Sequence, residues 1–356
     1  MVARRLFLDN KQPGERQGED VRALQCVKPG TISLIERPRP LPGPGEALVR
    51  IRRAGVCGTD LHIFEGSHPF LAYPRVIGHE LSGEIAEAGP GSSWKRGQQV
   101  YVIPYLACGA CVACRRGKTN CCQNIRVLGV HVDGGMADYL CVPEDNIGAA
   151  DGVSLDEAAM VEFLSIGAHA VSRANPRAED RVLVVGAGPI GIGCALFARL
   201  RGASVTVLDK RQDRLDFCVR HIGVAHAIAV DGEPSEPLSA LTGGDFFDVV
   251  VDATGNASSM MAGLNYVAHG GTYVLVSVVR EAISFEDPEF HKRETTLLAS
   301  RNATPADFLE VYRAMRARLV PTEALLTHRA KLEDSADQFP IWIAPETGVI
   351  KAMIEV

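Results

Sequence analysis

Arg181-Val182-Leu183-Val184-Val185-Gly186-Ala187-Gly188-Pro189-Ile190-Gly191 is the stretch that decides the fold. Its first five residues read as a buried strand, and the glycines after them keep the G-x-G-x-x-G spacing that leads into a helical stretch, Ile192 to Arg201. In such a turn Gly186 permits the tight bend and Gly188 lets a pyrophosphate approach the backbone. Gly191 lets helix pack on strand, while Pro189 and Ile190 open the helix whose N-terminus faces the phosphates. The next strand, Ser204 to Leu208, ends at Asp209, about twenty residues beyond the glycines, where a carboxylate accepts the adenosine ribose hydroxyls and repels a 2'-phosphate. NAD+ is therefore expected over NADP+, although Lys210, Arg211 and Arg214 supply cations that a phosphate would welcome. Strands at Phe247–Asp252 and Thr272–Ser277 continue the pattern, and Ala253-Thr254-Gly255 turns over the nicotinamide half. Ser277 and Arg301, near later strand ends, join the expected cofactor set.

A second motif lies upstream. Cys108, Cys111 and Cys114, followed by Cys121 and Cys122, stand in the polar, glycine-punctuated stretch CGACVACRRGKTNCC. Thiolates so closely spaced close on one tetrahedral ion and leave no position for substrate, which is the signature of structural zinc. Spacing alone leaves Cys121 and Cys122 as rivals for the fourth place. Disulfides are the competing explanation, but nothing else in the chain looks secreted.

A third cluster, Gly55-Val56-Cys57-Gly58-Thr59-Asp60-Leu61-His62, gathers a thiol, a hydroxyl, a carboxylate and an imidazole, and Gly78-His79-Glu80 adds an imidazole and a carboxylate. Singly, each has a plain explanation as core or surface residue; beside a nicotinamide-binding turn they suggest a metal and a proton path.

The chain's 356 residues suggest two domains. Its net charge of -6 and pI near 6.0 give no basic footprint for nucleic acid. No run of apolar residues is long enough to span a membrane, and the first twenty residues, with Arg4, Arg5 and Lys11, lack a signal peptide's apolar stretch. The expectation is a cytoplasmic protein with a frayed extension over Met1 to Asp20. Residues 21–175 read as a compact antiparallel β domain, 176–301 as a parallel α/β sheet, and 302–356 as a helix followed by an apolar strand, Gly348 to Ile354.

Together GVCGTDLH, GHELSGEI, the cysteine lobe, VVGAGPIG and the aspartate after the second strand resemble the zinc-dependent medium-chain dehydrogenase/reductase family over nearly the whole chain. The resemblance implies an α/β protein: a GroES-like catalytic domain over 21–175, a doubly wound Rossmann domain over 176–301, and a tail, 302–356, that returns to the catalytic domain. It also implies Cys122 as the fourth lobe ligand. Cys57 and His79 would hold a catalytic zinc with a carboxylate from Glu80 or Glu162, giving two zinc ions per subunit beside NAD+. Asp60 would orient His79 or its backbone. Zinc would acidify a bound alcohol, and Thr59 would pass the proton through the cofactor ribose to His62, with Glu162 and its water as a competing base. Met160-Val161-Glu162-Phe163-Leu164-Ser165 resembles the E-P-L-S segment of polyol, threonine and sugar-acid dehydrogenases, with Phe163 where that subgroup has proline.

The implied activity is oxidation of a secondary hydroxyl of a polyol or sugar acid, such as galactonate or gulonate, by a homodimer or homotetramer. Arg301 would meet either a substrate carboxylate or the cofactor. L-threonine 3-dehydrogenase and sorbitol dehydrogenase are the alternatives. A non-catalytic zinc- and NAD-binding regulator has no need of the whole set Cys57, Thr59, His62, His79 and Glu162, and quinone reductases of this fold lack the zinc ligands.

Overall fold

The computed structural model describes residues 20–68, 71–232 and 234–356. The extension expected at the N-terminus thus lies outside the described residues except for Asp20, which begins the strand Asp20–Lys28.

Six parallel strands form the sheet of the second region, in the spatial order His226–Ala229, Ser204–Asp209, Arg181–Val185, Phe247–Asp252, Val267–Leu275, Thr296–Ala299. Numbered along the chain this order is 3-2-1-4-5-6, which reverses between Arg181–Val185 and Phe247–Asp252, where a doubly wound sheet opens its ligand crevice. The central strands are buried along their length because helices cover both faces, so the sequence reads as continuous apolar runs rather than alternation. The fifth strand departs from expectation. It starts at Val267, which pairs with Phe247, and it ends at Leu275, so Ser277 falls beyond it.

A seven-stranded sheet frames the first region. Ile147–Ala149, Gln99–Val102, Glu80–Ala88 and Glu46–Val56 run side by side, with Tyr139–Pro143 also on Glu46–Val56. Its other side is completed by the end of the chain: Lys351–Glu355 pairs with Glu46–Val56, and Leu326–Lys331 pairs with Lys351–Glu355. The strand that leads into Cys57 therefore lies between Glu80 on one side and the C-terminal strand on the other.

The helix Leu155–Ala174 joins the two regions. Ser154 accepts from the Glu157 backbone N–H and receives Glu157 in return, a capping box that fixes where the helix starts. Its end is marked by Asn175 at φ 50, the residue at which the sequence had suggested a boundary. Buried residues of this helix pack into one apolar cluster with Tyr101 and Tyr105 of the first region, Val184 and Ile192 of the second and Phe308 of the tail. Each such side chain withdrawn from water contributes about 1.5–3 kcal/mol, enough to hold a polar residue on the same helix in a fixed place. No described helix is long and apolar enough to cross a membrane.

Candidate active site

Gly186 has φ +95, and a Cβ on Gly191 would lie 1.8 Å from the Gly186 carbonyl oxygen, so both positions need glycine for the turn itself. Gly188 is different. A Cβ there would meet nothing within 4 Å, which leaves open space over the start of the helix Pro189–Leu200. That space belongs to a cavity of about 650 Å³ lined by Gly186, Gly188, Asp209, Lys210, Arg211 and Thr254, among others. Asp209 accepts from the backbone N–H of Ala187 at 2.5 Å and of Arg211 at 2.8 Å, so its carboxylate is pinned at the cavity wall with lone pairs to spare. The donor at the helix start, the open volume and the carboxylate fit an adenine dinucleotide.

Three members of the expected cofactor set stand apart from this wall. Arg214 is buried, and its guanidinium donates to the Val349 carbonyl, because the tail packs over its helix; it does not line the cavity. Arg211, which does line the cavity, is held by Asp213 at 2.6 Å. Ser277 sits near Gly255, and Arg301 has an exposed side chain while its carbonyl accepts from Asn120 Nδ2 at 2.8 Å.

The cysteine lobe gathers Cys108, Cys111, Cys114 and Cys122 with all four sulfurs within 4.8 Å of one another. Cys122 is buried and its neighbour Cys121 is exposed, so the chain direction chooses between them. The Cys111 and Cys114 sulfurs are 3.5 Å apart, close to the roughly 3.8 Å edge of a tetrahedron with zinc–sulfur bonds of about 2.3 Å. Backbone N–H groups point into the cluster: that of Cys108 donates to Cys122 Sγ at 3.2 Å, and those of Cys114 and Gln123 hold the Cys111 thiol down to about 6. All ten cysteines are unpaired. Four unpaired sulfurs within this reach, with backbone N–H groups aimed among them, fit zinc.

The second cluster is assembled from distant segments. Cys57 caps the helix Gly58–Glu65, and Asp60, fully buried, ties two segments together by accepting from the Cys57 N–H at 3.0 Å and the Gly78 N–H at 3.2 Å. Asp60 also lies 3.8 Å from His79 Nδ1, which is buried without a hydrogen-bond partner. Cys57, His79 and Glu80 place one ligand atom each within 4.8 Å of one another. A buried trio of thiol, imidazole and carboxylate at this spacing fits a divalent cation.

Two carboxylates compete for the third place, and proximity and hydrogen bonding give different answers. Glu80 belongs to the compact trio, but both its oxygens accept from Lys351 Nζ, at 2.7 and 2.8 Å. Glu162 lies outside the trio and is held at one oxygen only, by the Tyr105 hydroxyl. We give more weight to the hydrogen bonds, since a carboxylate with both oxygens spent on a buried ammonium must surrender them before it can ligate.

Charge is dense here. Burial lowers the His79 pKa, yet Asp60, Cys57 and Glu162 outweigh it and hold the metal-free imidazole well above its ordinary value. Burial, reinforced by Glu80, pushes Glu162 up to about 7 against the pull of His79 and Tyr105. Burial and then Glu162 raise the Tyr105 phenol well above the ordinary range, so it remains a donor. Such displaced groups mark functional sites more often than structural ones.

Thr59 is half-buried on the helix that Cys57 caps, three residues before His62. The His62 side chain is 63% exposed, with Nδ1 3.3 Å from Glu65 and 3.4 Å from the Ser67 hydroxyl. Helical spacing brings the two onto one face, from the buried end to solvent.

Sequence reasoning missed Tyr105 and Lys351. Tyr105 gave no signal outside an apolar run. Lys351 did: a lone lysine inside Gly348-Val349-Ile350-Lys351-Ala352-Met353-Ile354 needs a buried partner.

Comparison with known proteins agrees with this geometry. Residues 43–151 match the family described as alcohol dehydrogenase GroES-like domain, and residues 189–317 match the zinc-binding dehydrogenase family. The chain is 43% identical to the L-galactonate-5-dehydrogenase of Escherichia coli (strain K12), over 94% of this chain and 98% of that one. It is 30% identical to a sorbitol dehydrogenase of Halalkalibacterium halodurans, over 88% and 94%. Among solved structures, an Escherichia coli CFT073 protein described as a short chain alcohol dehydrogenase, complexed with NADH, superposes with a TM-score of 0.90 at 30% identity, covering 95% of this chain and all of that one.

Proposed function

Since the chain belongs to the zinc-type medium-chain alcohol dehydrogenases, we propose that it oxidises one secondary hydroxyl of a sugar acid, the C5 hydroxyl of L-galactonate or a close stereoisomer, to a ketone with NAD+. The observation that carries the substrate is the 43% identity to L-galactonate-5-dehydrogenase along 94% of the chain. The buried polarity of the site agrees with it: Glu80, Glu162 and Tyr105 are buried close to the metal place, a lining that suits a polyhydroxylated substrate better than a small apolar alcohol.

When bound, zinc supplies a Lewis acid that acidifies an alcohol, and NAD+ supplies the hydride acceptor. Cys57, His79 and Glu162 are the residues we assign to the catalytic zinc, and Cys108, Cys111, Cys114 and Cys122 to a second, structural one. Asp60 fixes the backbone on which Cys57 and His79 stand. Thr59 takes the alcohol proton inside the crevice, and His62 hands it to water, with Glu65 steadying the imidazole. Glu162, acting through a water rather than as a direct ligand, is the alternative acceptor. Asp209 faces the adenosine ribose and favours NAD+. Arg301, whose side chain is exposed, meets the substrate carboxylate. The active form is a homodimer or homotetramer in the cytoplasm, where thiolate ligands stay reduced.

A panel of L-galactonate and other aldonates, the corresponding alditols, sorbitol, L-threonine and short alcohols, read by NADH absorbance with wild type and Arg301→Ala, tests the reading. An aldonate is expected to give the highest kcat/KM, and Arg301→Ala to raise KM mainly for acids. A higher kcat/KM for threonine, sorbitol or a primary alcohol would replace the substrate; an unchanged acid-to-alditol ratio in the variant would remove only the role of Arg301.

A further inference from the structure

Lys351 is 2% exposed and Glu80 fully buried, beside the place assigned to the catalytic metal. The ammonium has three protons and three acceptors: Glu80 Oε1 at 2.7 Å, Glu80 Oε2 at 2.8 Å and the Val56 carbonyl at 3.2 Å. A fourth contact completes its seat. The Phe163 ring, 1% exposed, lies under the ammonium with its centroid 4.3 Å from Nζ. An ammonium at that distance from a desolvated ring face is attracted by the ring's quadrupole.

Backbone geometry leaves the carboxylate little other room. Glu80 pairs across the sheet with Gly55, and a Cβ on Gly55 would come within 2.1 Å of Glu80 Oε2, so the carboxylate lies flat over a residue without a side chain. Lys351 reaches it from the neighbouring strand on the other side, where Ala352 pairs with Val56. Glu162 and Phe163 are consecutive on one helix. The first takes the Tyr105 hydroxyl and the second underlies Lys351, so one helical turn addresses both rival carboxylates.

We propose that Phe163 is a positioning residue: its ring fixes the Lys351 ammonium, the ammonium occupies both oxygens of Glu80, and the metal place is thereby left to Cys57, His79 and Glu162 with a position open for substrate. The inference rests on the assignment of zinc to that cluster. Charge supports it, since removing the ammonium leaves Glu80 an anion whose nearest cation is the metal. Without the ring the ammonium loses its fixed seat, Glu80 regains a free oxygen, and the compact trio of Cys57, His79 and Glu80 becomes a ligand set that crowds the open position.

The test uses full-length protein with cobalt in the exchangeable site. Phe163 is replaced by phenylalanines carrying one, two or three ring fluorines, which keep the shape and weaken the negative ring face stepwise; Lys351→Met and Lys351→Arg are made beside them. The readouts are the visible cobalt spectrum and the rate of zinc transfer to a chelator. Progressive fluorination should weaken the visible cobalt bands stepwise, as coordination number rises, and slow zinc transfer. Lys351→Met should give the full effect, on the order of tenfold in transfer rate, and Lys351→Arg should restore part of it. KM for the alcohol should rise with the spectral change. Spectra and transfer rates that ignore fluorination would overturn the proposal even if Lys351→Met fails to fold, since fluorination leaves packing intact. Wild-type protein with no cobalt spectrum at Cys57 and His79 would instead overturn the zinc assignment beneath it.

Discussion

The cysteine lobe and the buried cluster around Cys57 are two metal places built in opposite ways. The lobe lies within residues 108–122, at the surface, and its own backbone N–H groups point at the sulfurs. The Cys57 cluster draws on residues 57, 60, 79, 80, 105, 162 and 351, nearly all buried, and each rival carboxylate has a competing partner: Tyr105 for Glu162 and Lys351 for Glu80. A closed site needs only ligands at the right spacing. An open site must also prevent surplus ligands from closing it, and that work falls to residues from elsewhere in the chain.

The largest expected effect separates the two places directly. Cys57→Ala should remove one exchangeable zinc, leave the lobe's metal in place, and lower kcat/KM by more than the roughly 10–100-fold that loss of an outer partner costs. Cys108→Ala should do the reverse, keeping the exchangeable ion while lowering the unfolding temperature. Metal analysis after chelation, with a thermal melt for each protein, checks both; one zinc per wild-type chain would break the comparison.

Glu162→Gln keeps the shape and removes the charge. We expect kcat to fall about 10–100-fold, with the lobe metal and melting temperature little changed. If Glu80→Gln has the larger effect on metal content, the assignment of the two carboxylates is inverted.

Away from the metals, Asp209→Ala should raise NADP+ efficiency relative to NAD+ by at least about tenfold, or about 1.4 kcal/mol. Arg211 must leave Asp213 to meet the added phosphate, whereas Arg214, committed to Val349, should contribute nothing. A double variant with Arg214→Ala that behaves as the single one sharpens this.

The smallest effect concerns the join between the helix that carries Glu162 and the C-terminal strands. Asp156 accepts from Arg329 at 2.6 Å and from Arg53 at 2.7 Å, and Arg329 also reaches Glu355 at 3.1 Å. Burial opposes ionisation, yet the two guanidinium groups outweigh it and hold the Asp156 carboxyl below its ordinary value. A carboxyl depressed in the folded state stabilises above its unfolded pKa and loses that contribution as pH falls through the folded one. Asp156→Asn should therefore cost about 0.2–1 kcal/mol near neutrality. The wild type and variant should converge below about pH 4, followed by urea unfolding across pH.

Sequence by itself determined what is local. The strand, glycine turn and helix of 181–201, the aspartate closing the next strand, the four-sulfur spacing and the helix Pro305–Arg316 are all encoded within short windows, where periodicity and backbone demands act on neighbours. It also marked Cys57, His79 and Glu80 as candidates, and the family resemblance added Glu162. It could not rank the two carboxylates, because their hydrogen-bond partners, Lys351 for Glu80 and Tyr105 for Glu162, lie 271 and 57 residues away in the chain from the acids they hold. Nor could it see that Arg214 is spent on Val349, or that the last strand inserts beside Val56. Those are tertiary decisions for one physical reason: a buried charge takes whichever partner the packed chain brings within hydrogen-bond reach, and no local pattern records that choice.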